Sequence, residues 1–170
     1  MRVLQVYETG KVRLGTSVGS VVLNLSKCLA ELGVDVVVIE RGKGKNPFLE
    51  SVGIESIQID MDEYSSAPYK DVKTLSGLVK LILDRIMLAL EYNKVIKREN
   101  FDVIHVHFPF ASSILLNLRR ELKKRMVYTA HIGEETKRFA LGSSSPLALR
   151  LFSPDLYLMK RVAKTVVLNE

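Results

Sequence analysis

Apolar runs and helical stripes alternate along this chain. Val3 to Tyr7 is a short apolar run, and a polar stretch with Gly10 and Gly15 follows it. Such a run at the head of a chain predicts a buried strand. Over Val18 to Leu32 the apolar positions are Val21, Val22, Leu25, Leu29 and Leu32, which is helical spacing on one face. Gly33 then stands where a helix prefers a left-handed cap. Val34 to Ile39 is rich in β-branched residues and predicts a second strand. Together these form a βαβ unit with a right-handed crossover.

The alternation continues to the end of the chain. A Gly/Lys loop over 41–46 and a short helix or turn at Pro47 to Ser51 precede a third strand, Glu55 to Ile59. Met61 to Asp71 is read as an irregular connection. Val72 to Arg98 is read as a long helix with Leu75, Leu78, Val79, Ile82, Ile86 and Leu90 on its inner face. Val103 to Val106 is a fourth strand, Ser112 to Lys124 a helix and Met126 to Ala130 a fifth strand. Glu134 to Leu141 is a short helical segment, Pro146 to about Arg161 a helix and Thr165 to Leu168 a last strand. Strands alternating with helices predict an α/β fold: a Rossmann-like parallel sheet with helices on both faces. Sites in such sheets lie outside the carboxyl ends of the strands. The loops there are 7–19, 40–44, 60–64, 107–110, 131–134 and 169–170.

Composition narrows the class. The chain has 170 residues, 47% hydrophobic and 26% charged, which is globular composition for one domain. At this size roughly 70% of the unfolded surface is buried, so no metal or disulfide staple is required. With 25 Lys and Arg against 19 Asp and Glu, the formal charge is +6. That permits an anionic partner without choosing one. The single cysteine, Cys28, lies in an apolar stretch and reads as buried filler. The apolar run at the N-terminus is too short for a signal peptide, and no stretch of ~18 apolar residues predicts a membrane span. A cytoplasmic location is expected, with possible peripheral contact at a membrane.

Several loops are candidates for chemistry. The segment Gly10 to Gly19 leads into a helix N-terminus, where backbone N–H groups suit phosphate. It departs from two known patterns. Gly10 and Gly15 have the P-loop spacing, but Thr16 stands at the lysine position, which removes the phosphate counter-charge. The dinucleotide pattern G-x-G-x-x-G is absent, although Glu40 ends the second strand where a ribose-binding acid sits, so a nicotinamide- or nucleotide-binding domain stays open. A purely structural turn is the plain alternative. The Arg41 to Lys45 run reads first as a solvated charge run.

His105 and His107 share one face of the fourth strand, and His131 ends the fifth. Without C-x-x-C or H-E-x-x-H, no metal site is expected. His105 reads as a packed, hydrogen-bonded histidine, whereas His107 and His131 stand at strand ends, where a ligand sits. Arg119, Arg120, Lys123, Lys124 and Arg125 complement a helix C-terminus, with an anionic membrane surface as the lesser reading. Aromatics are not interleaved with these cations, so no nucleic acid is expected as a partner.

Four blocks resemble the N-terminal domain of a GT-B-fold glycosyltransferase of family 4. Residues 1–7 with Leu14-Gly15-Thr16 and 21–36 resemble the family's first βαβ unit. Residues 101–109 (FDVIHVHFP) resemble its D-[VI]-[VI]-H-x-H strand, and 126–133 (MVYTAHIG) its V-x-T-x-H-G segment. Residues 161–170 resemble a strand the family often ends with Ser-Glu, with Asn169 in the serine position. Thr16 stands where a second glycine is common. The resemblance implies one half of a GT-B fold: residues 1–170 as the acceptor-side domain, with a C-terminal donor-binding domain absent from this chain. It implies a retaining transfer, of hexosyltransferase type, from a nucleotide-sugar donor to a sugar or lipid-linked acceptor, with no cofactor and no metal. It makes His131 the catalytic residue. Gly15, Thr16, His107, Gly133 and Asn169 become substrate-binding residues, with Gly15 and Thr16 approaching the donor phosphates and His107 lining the acceptor side. The 170-residue chain alone is expected to be inactive.

Overall fold

A computed structural model describes residues 1–63, 74–131 and 154–167. Six strands form one sheet: β1 (Arg2–Val6), β2 (Asp35–Arg41), β3 (Glu55–Ile59), β4 (Val103–Val106), β5 (Met126–Ala130) and β6 (Lys164–Val167). Their order is β3-β2-β1-β4-β5-β6, and every neighbouring pair is parallel. Strand order reverses between β1 and β4, and ligands of open α/β sheets bind in the crevice at such a switch point. The register sets Gln5 of β1 beside His105 of β4.

The helices are α1 (Ser17–Glu31), α2 (Pro47–Glu50), α3 (Leu75–Arg98), α4 (Phe110–Leu118) and α5 (Pro154–Met159). Local chemistry fixes several of their ends. The Asn46 side chain accepts from the Phe48 N–H, with Pro47 opening α2. The Thr74 hydroxyl accepts from Gly77 N–H at 3.1 Å and starts α3. Lys97 and Arg98 close α3 at the negative end of its dipole. Gly33, at φ +79°, ends α1 as the sequence predicts.

Both faces of the sheet are covered. Leu4, Val6, Ile104, Val106 and Tyr128 pack with Leu88 and Ala89 of α3 and Leu115 of α4. Val36, Val38 and Tyr7 pack with Val22 and Leu23 of α1. The α/β Rossmann-like parallel sheet read from the sequence is therefore the fold of this chain.

Several details differ from the sequence reading. First, α3 buries the other of two apolar stripes: Leu81, Arg85, Leu88, Ala89, Tyr92 and Ile96 face inward, while Leu75, Val79, Ile82, Ile86 and Leu90 are exposed. Both stripes have helical spacing. An arginine in the buried one hid it, and Arg85 is 3% exposed beside the Glu8 carbonyl and Asp84. Second, Cys28 is exposed rather than buried filler. The inner face of α1 runs through Gly19, Val22, Leu23 and Ser26. Two residues past Ser26 is just over half a turn, which points Cys28 outward. Leu32 is exposed for the same reason, at the helix cap. Third, the helix expected over Ser112 to Lys124 begins at Phe110 and stops at Leu118, and a 3-10 turn, Arg120–Lys124, follows. That break carries Leu122 into the main core, where it is fully buried. Fourth, β6 is shifted by one residue from its expected start. The helical segment expected at Glu134 to Leu141, the first part of the one from Pro146, and most of the 61–71 connection lie outside the described residues.

Candidate functional site

Three strands bring a polar stripe to one face of the sheet at its switch point. Gln5 comes from β1, His105 from β4 and Thr129 from β5, with His107 and His131 just past the ends of β4 and β5. They alternate with apolar residues, so the period of two that buries Ile104, Val106, Tyr128 and Ala130 turns the polar set to the opposite face. Gln5 Oε1 lies 2.7 Å from His107 Nε2, and His107 Nδ1 lies 2.9 Å from His131 Nε2. His105 Nε2 bonds the Thr129 hydroxyl at 2.7 Å. The His105 and His107 rings are 4.4 Å apart, and those of His107 and His131 5.2 Å.

Burial falls along this row toward the strand ends. Gln5 is fully buried and His107 nearly so, while His131 is half-buried. Burial opposes the charged form of each ring. It pushes the His105 pKa down to about 4, with His131 adding a smaller repulsion. It holds His107 well below the ordinary histidine value, helped by His105 and His131. It lowers His131 as well. All three imidazoles are therefore neutral near pH 7. Among the described residues no three His, Cys, Asp or Glu side chains are grouped to hold a metal ion.

The glycine loop joins β1 to α1. Gly15 adopts φ +90° and is exposed, as is Thr16. Thr16 precedes α1 as its N-cap, but its hydroxyl turns back to the Arg13 carbonyl at 3.2 Å and caps no helical N–H. The first turn of α1 thus keeps its N–H groups free of a side-chain cap. Gly19 lets the loop close on the helix: a Cβ there would sit 2.2 Å from Thr16 Oγ1 and 2.7 Å from the Arg13 carbonyl oxygen.

Two buried carboxylates hold these loops, and sequence reasoning missed the structural role of both. Glu40 accepts from Val12 N–H at 2.6 Å, Asn46 Nδ2 at 2.8 Å and Gln58 Nε2 at 2.5 Å. It is fully buried, and both oxygens are spent on the protein. A ribose-binding acid must face its ligand, so the nicotinamide reading loses the residue that kept it open. Glu8 accepts from the Ala111 and Ser112 N–H groups at 3.2 and 3.0 Å and from the Ser112 hydroxyl at 2.9 Å. It ties the loop after β1 to the start of α4, next to His107. Burial raises its pKa, with Arg85 and these hydrogen bonds opposing.

The structure brings His107 and His131 together and adds Gln5, whose signal in the sequence was one polar residue inside an apolar strand. Gly15 and Thr16 stand on the separate glycine loop. Gly133 and Asn169 lie outside the described residues. The basic run after α4 is partly structural: Arg125 donates to the Phe101 carbonyl at 2.9 Å, and Arg119 bonds Asn93 and Glu121. Lys43 and Lys45 pair with Asp60 and Glu50 at the surface, as a solvated charge run does.

A histidine pair at the switch point of a six-stranded parallel sheet invites comparison with known proteins. The model of the family described as Glycosyltransferase Family 4 matches residues 18–170. The chain belongs to this family. Over 95 residues the chain is 34% identical to a phosphatidyl-myo-inositol mannosyltransferase of Propionibacterium freudenreichii subsp. shermanii, which is 56% of this chain and 24% of that protein. Its fold is similar to that of MurG from Acinetobacter baumannii, with a TM-score of 0.50 and 16% identity over 100% of this chain and 41% of that one. A glycosyltransferase from Rickettsia africae aligns at a TM-score of 0.46 and 18% identity, over 99% of this chain and 42% of that one. The chain thus spans about a quarter of the curated relative it matches. The likeness to MurG is one of fold, a GT-B half.

Proposed function

We propose that this chain is the acceptor-side domain of a retaining glycosyltransferase. In this reading the intact enzyme moves a hexose from a nucleotide-sugar donor to an acceptor, and no metal or cofactor takes part. The observation that carries the reading is the His107–His131 contact at the switch point of a family 4 sheet. His131 is the less buried ring and stands at the strand end, where a sugar would lie. Near pH 7 it is neutral and so is able to share a hydrogen bond with a sugar hydroxyl at the reacting centre. His107 sits behind it and lines the acceptor side. Gly15 and Thr16 lead into the first turn of α1, whose N–H groups carry no side-chain cap, and this supports a role for them at the donor phosphates. Gly133 and Asn169 complete the substrate-binding set by family resemblance. A second domain carries the other wall of the cleft and most of the donor contacts.

The name of the mannosyltransferase relative supports a lipid-linked acceptor, with a plain sugar as the alternative. Peripheral contact of a cytoplasmic enzyme with a membrane fits this, and two observations support it. The net charge is +6, and the outer face of α3 exposes Leu75, Val79, Ile82, Leu83, Ile86 and Leu90. No helix among the described residues is long and apolar enough to cross a membrane. The experiment is to extend the coding sequence to the two-domain protein and assay it with a panel of nucleotide-sugars against lipid-linked and free sugar acceptors. Transfer with retained anomeric configuration is expected. Transfer with inversion, or none with any donor, would overturn the reading.

A further inference from the structure

The hydrogen bonds from Gln5 to His107 and from His107 to His131 form a directed series, and the direction has a chemical consequence. A neutral imidazole carries one N–H, so one ring nitrogen donates and the other accepts. Gln5 presents its amide oxygen to His107 Nε2, and an amide oxygen only accepts. The hydrogen of His107 therefore sits on Nε2. His107 Nδ1 is then a lone pair, and it faces His131 Nε2 at 2.9 Å. That contact is a hydrogen bond only when His131 carries its own hydrogen on Nε2. The remaining nitrogen, His131 Nδ1, is left as a lone pair. It bonds none of the described side chains.

Two further facts favour a purpose for this order. Gln5 is shut off from water, with a relative exposure of 0%, and its amide nitrogen finds no partner. The buried amide nitrogen without a partner is a cost, while the amide oxygen serves His107, and a buried polar group kept unpaired in this way calls for an explanation. Burial also holds His107 well below the ordinary histidine pKa, which prevents a second proton from scrambling the series near neutral pH.

We infer that Gln5 is a positioning residue which, through His107, holds His131 as its Nε2–H tautomer, so that Nδ1 accepts a hydrogen bond from a hydroxyl of the sugar substrate. The inference rests on the reading of His131 as the group that meets the sugar. It refines that reading in one respect: His131 Nδ1 accepts a hydrogen bond from a hydroxyl and does not donate one to a sugar oxygen. The reversed series, with the Gln5 amide NH₂ donating to His107, puts the hydrogens on Nδ1 of both rings and makes His131 a donor. A hydroxyl donor and an oxygen acceptor on the substrate are thus told apart by a side chain two hydrogen bonds away.

The tautomers are readable without substrate. Two-bond ¹H–¹⁵N correlation spectra of the 170-residue chain near neutral pH distinguish Nδ1–H from Nε2–H in each ring. The expected result is Nε2–H for both His107 and His131. In Gln5→Leu the acceptor is gone, and His131 should shift to a mixture or to Nδ1–H. In Gln5→Glu the acceptor is kept and gains charge, so both tautomers should persist while the His107 pKa rises. Nδ1–H on His131 in the unaltered chain overturns the inference. So does an unchanged His131 tautomer in a folded Gln5→Leu chain. If Gln5→Leu does not fold, an unmoved His107 pKa in Gln5→Glu does the same. These spectra involve no sugar transfer, so their failure leaves the proposed function standing. Conversely, undiminished transfer by His131→Ala in the two-domain enzyme removes the functional reading whatever the tautomers are.

Discussion

At the scale of single residues, the buried histidines make stability depend on pH with a definite sign. The His105 pKa falls from an ordinary 6.5 to about 4 on folding. Between those values the unfolded chain binds more protons, so stability is intact above the upper one and is lost as pH falls toward the lower. The loss is on the order of 3 kcal/mol for His105, and His107 and His131 add to it in the same direction. Glu8 works oppositely: its raised pKa favours the neutral form, so its burial penalty eases as pH drops. A thermal midpoint measured at steps from pH 7 to 4 should fall, and His105→Asn should flatten that fall; an equally steep curve in the variant would count against the histidine. Gly19 offers a second residue-scale prediction. A methyl group there meets Thr16 and the Arg13 backbone well inside contact distance. Gly19→Ala should cost about 1–3 kcal/mol by overpacking, read as a lower denaturation midpoint. His131→Ala separates chemistry from packing. In the two-domain enzyme, turnover should drop by ~10²–10⁴ if His131 moves a proton, with the thermal midpoint little changed because the ring is half-buried. Loss of both would assign it to packing.

At the scale of elements, α3 shows how a stripe is chosen. Both of its apolar stripes have the right spacing, and the sheet accepts the one whose arginine it can partner. Leu88 is fully buried between α3 and the sheet, whereas Ile82 is nearly half exposed. Leu88→Ala should destabilise by roughly 2–5 kcal/mol, and Ile82→Ser by no more than about 0.5 kcal/mol. Urea titrations of the two variants check this, and a costly Ile82→Ser would mean that its face is covered in solution. The same logic ends α4 early. A helix continued through residue 122 would keep Leu122 near the exposed Leu118, and the 3-10 turn re-aims it into the core.

At the scale of the whole molecule, the proposed function makes this sheet one wall of a cleft. The polar stripe, the glycine loop and the Glu8 and Glu40 ties all belong to that wall. Holding donor and acceptor in near-attack geometry can remove ~7–11 kcal/mol of barrier, and that requires both walls. The 170-residue chain should therefore fold, give a cooperative thermal transition and show no sugar transfer with any nucleotide-sugar. Turnover by the purified chain would end the two-wall account. Tight donor binding measured by calorimetry would place more of the donor site on this domain than is proposed.

The sequence by itself determined the order of strands and helices, the parallel sheet and the place of His107 and His131 at strand ends. It could do so because periods of two and 3.6 are local properties, written in neighbouring residues. What only the tertiary structure decided were the pairings between distant residues. Gln5 and His107 are 102 positions apart, and Glu8 and Ser112 are 104 apart. No local pattern states that a lone polar residue in β1 meets a histidine past β4, or that Glu40 faces inward to hold a loop rather than outward to hold a ribose. Nor does spacing choose between two equal stripes on α3. That choice turned on whether a buried arginine finds partners, and those partners exist only after β1, β2 and α3 have come together.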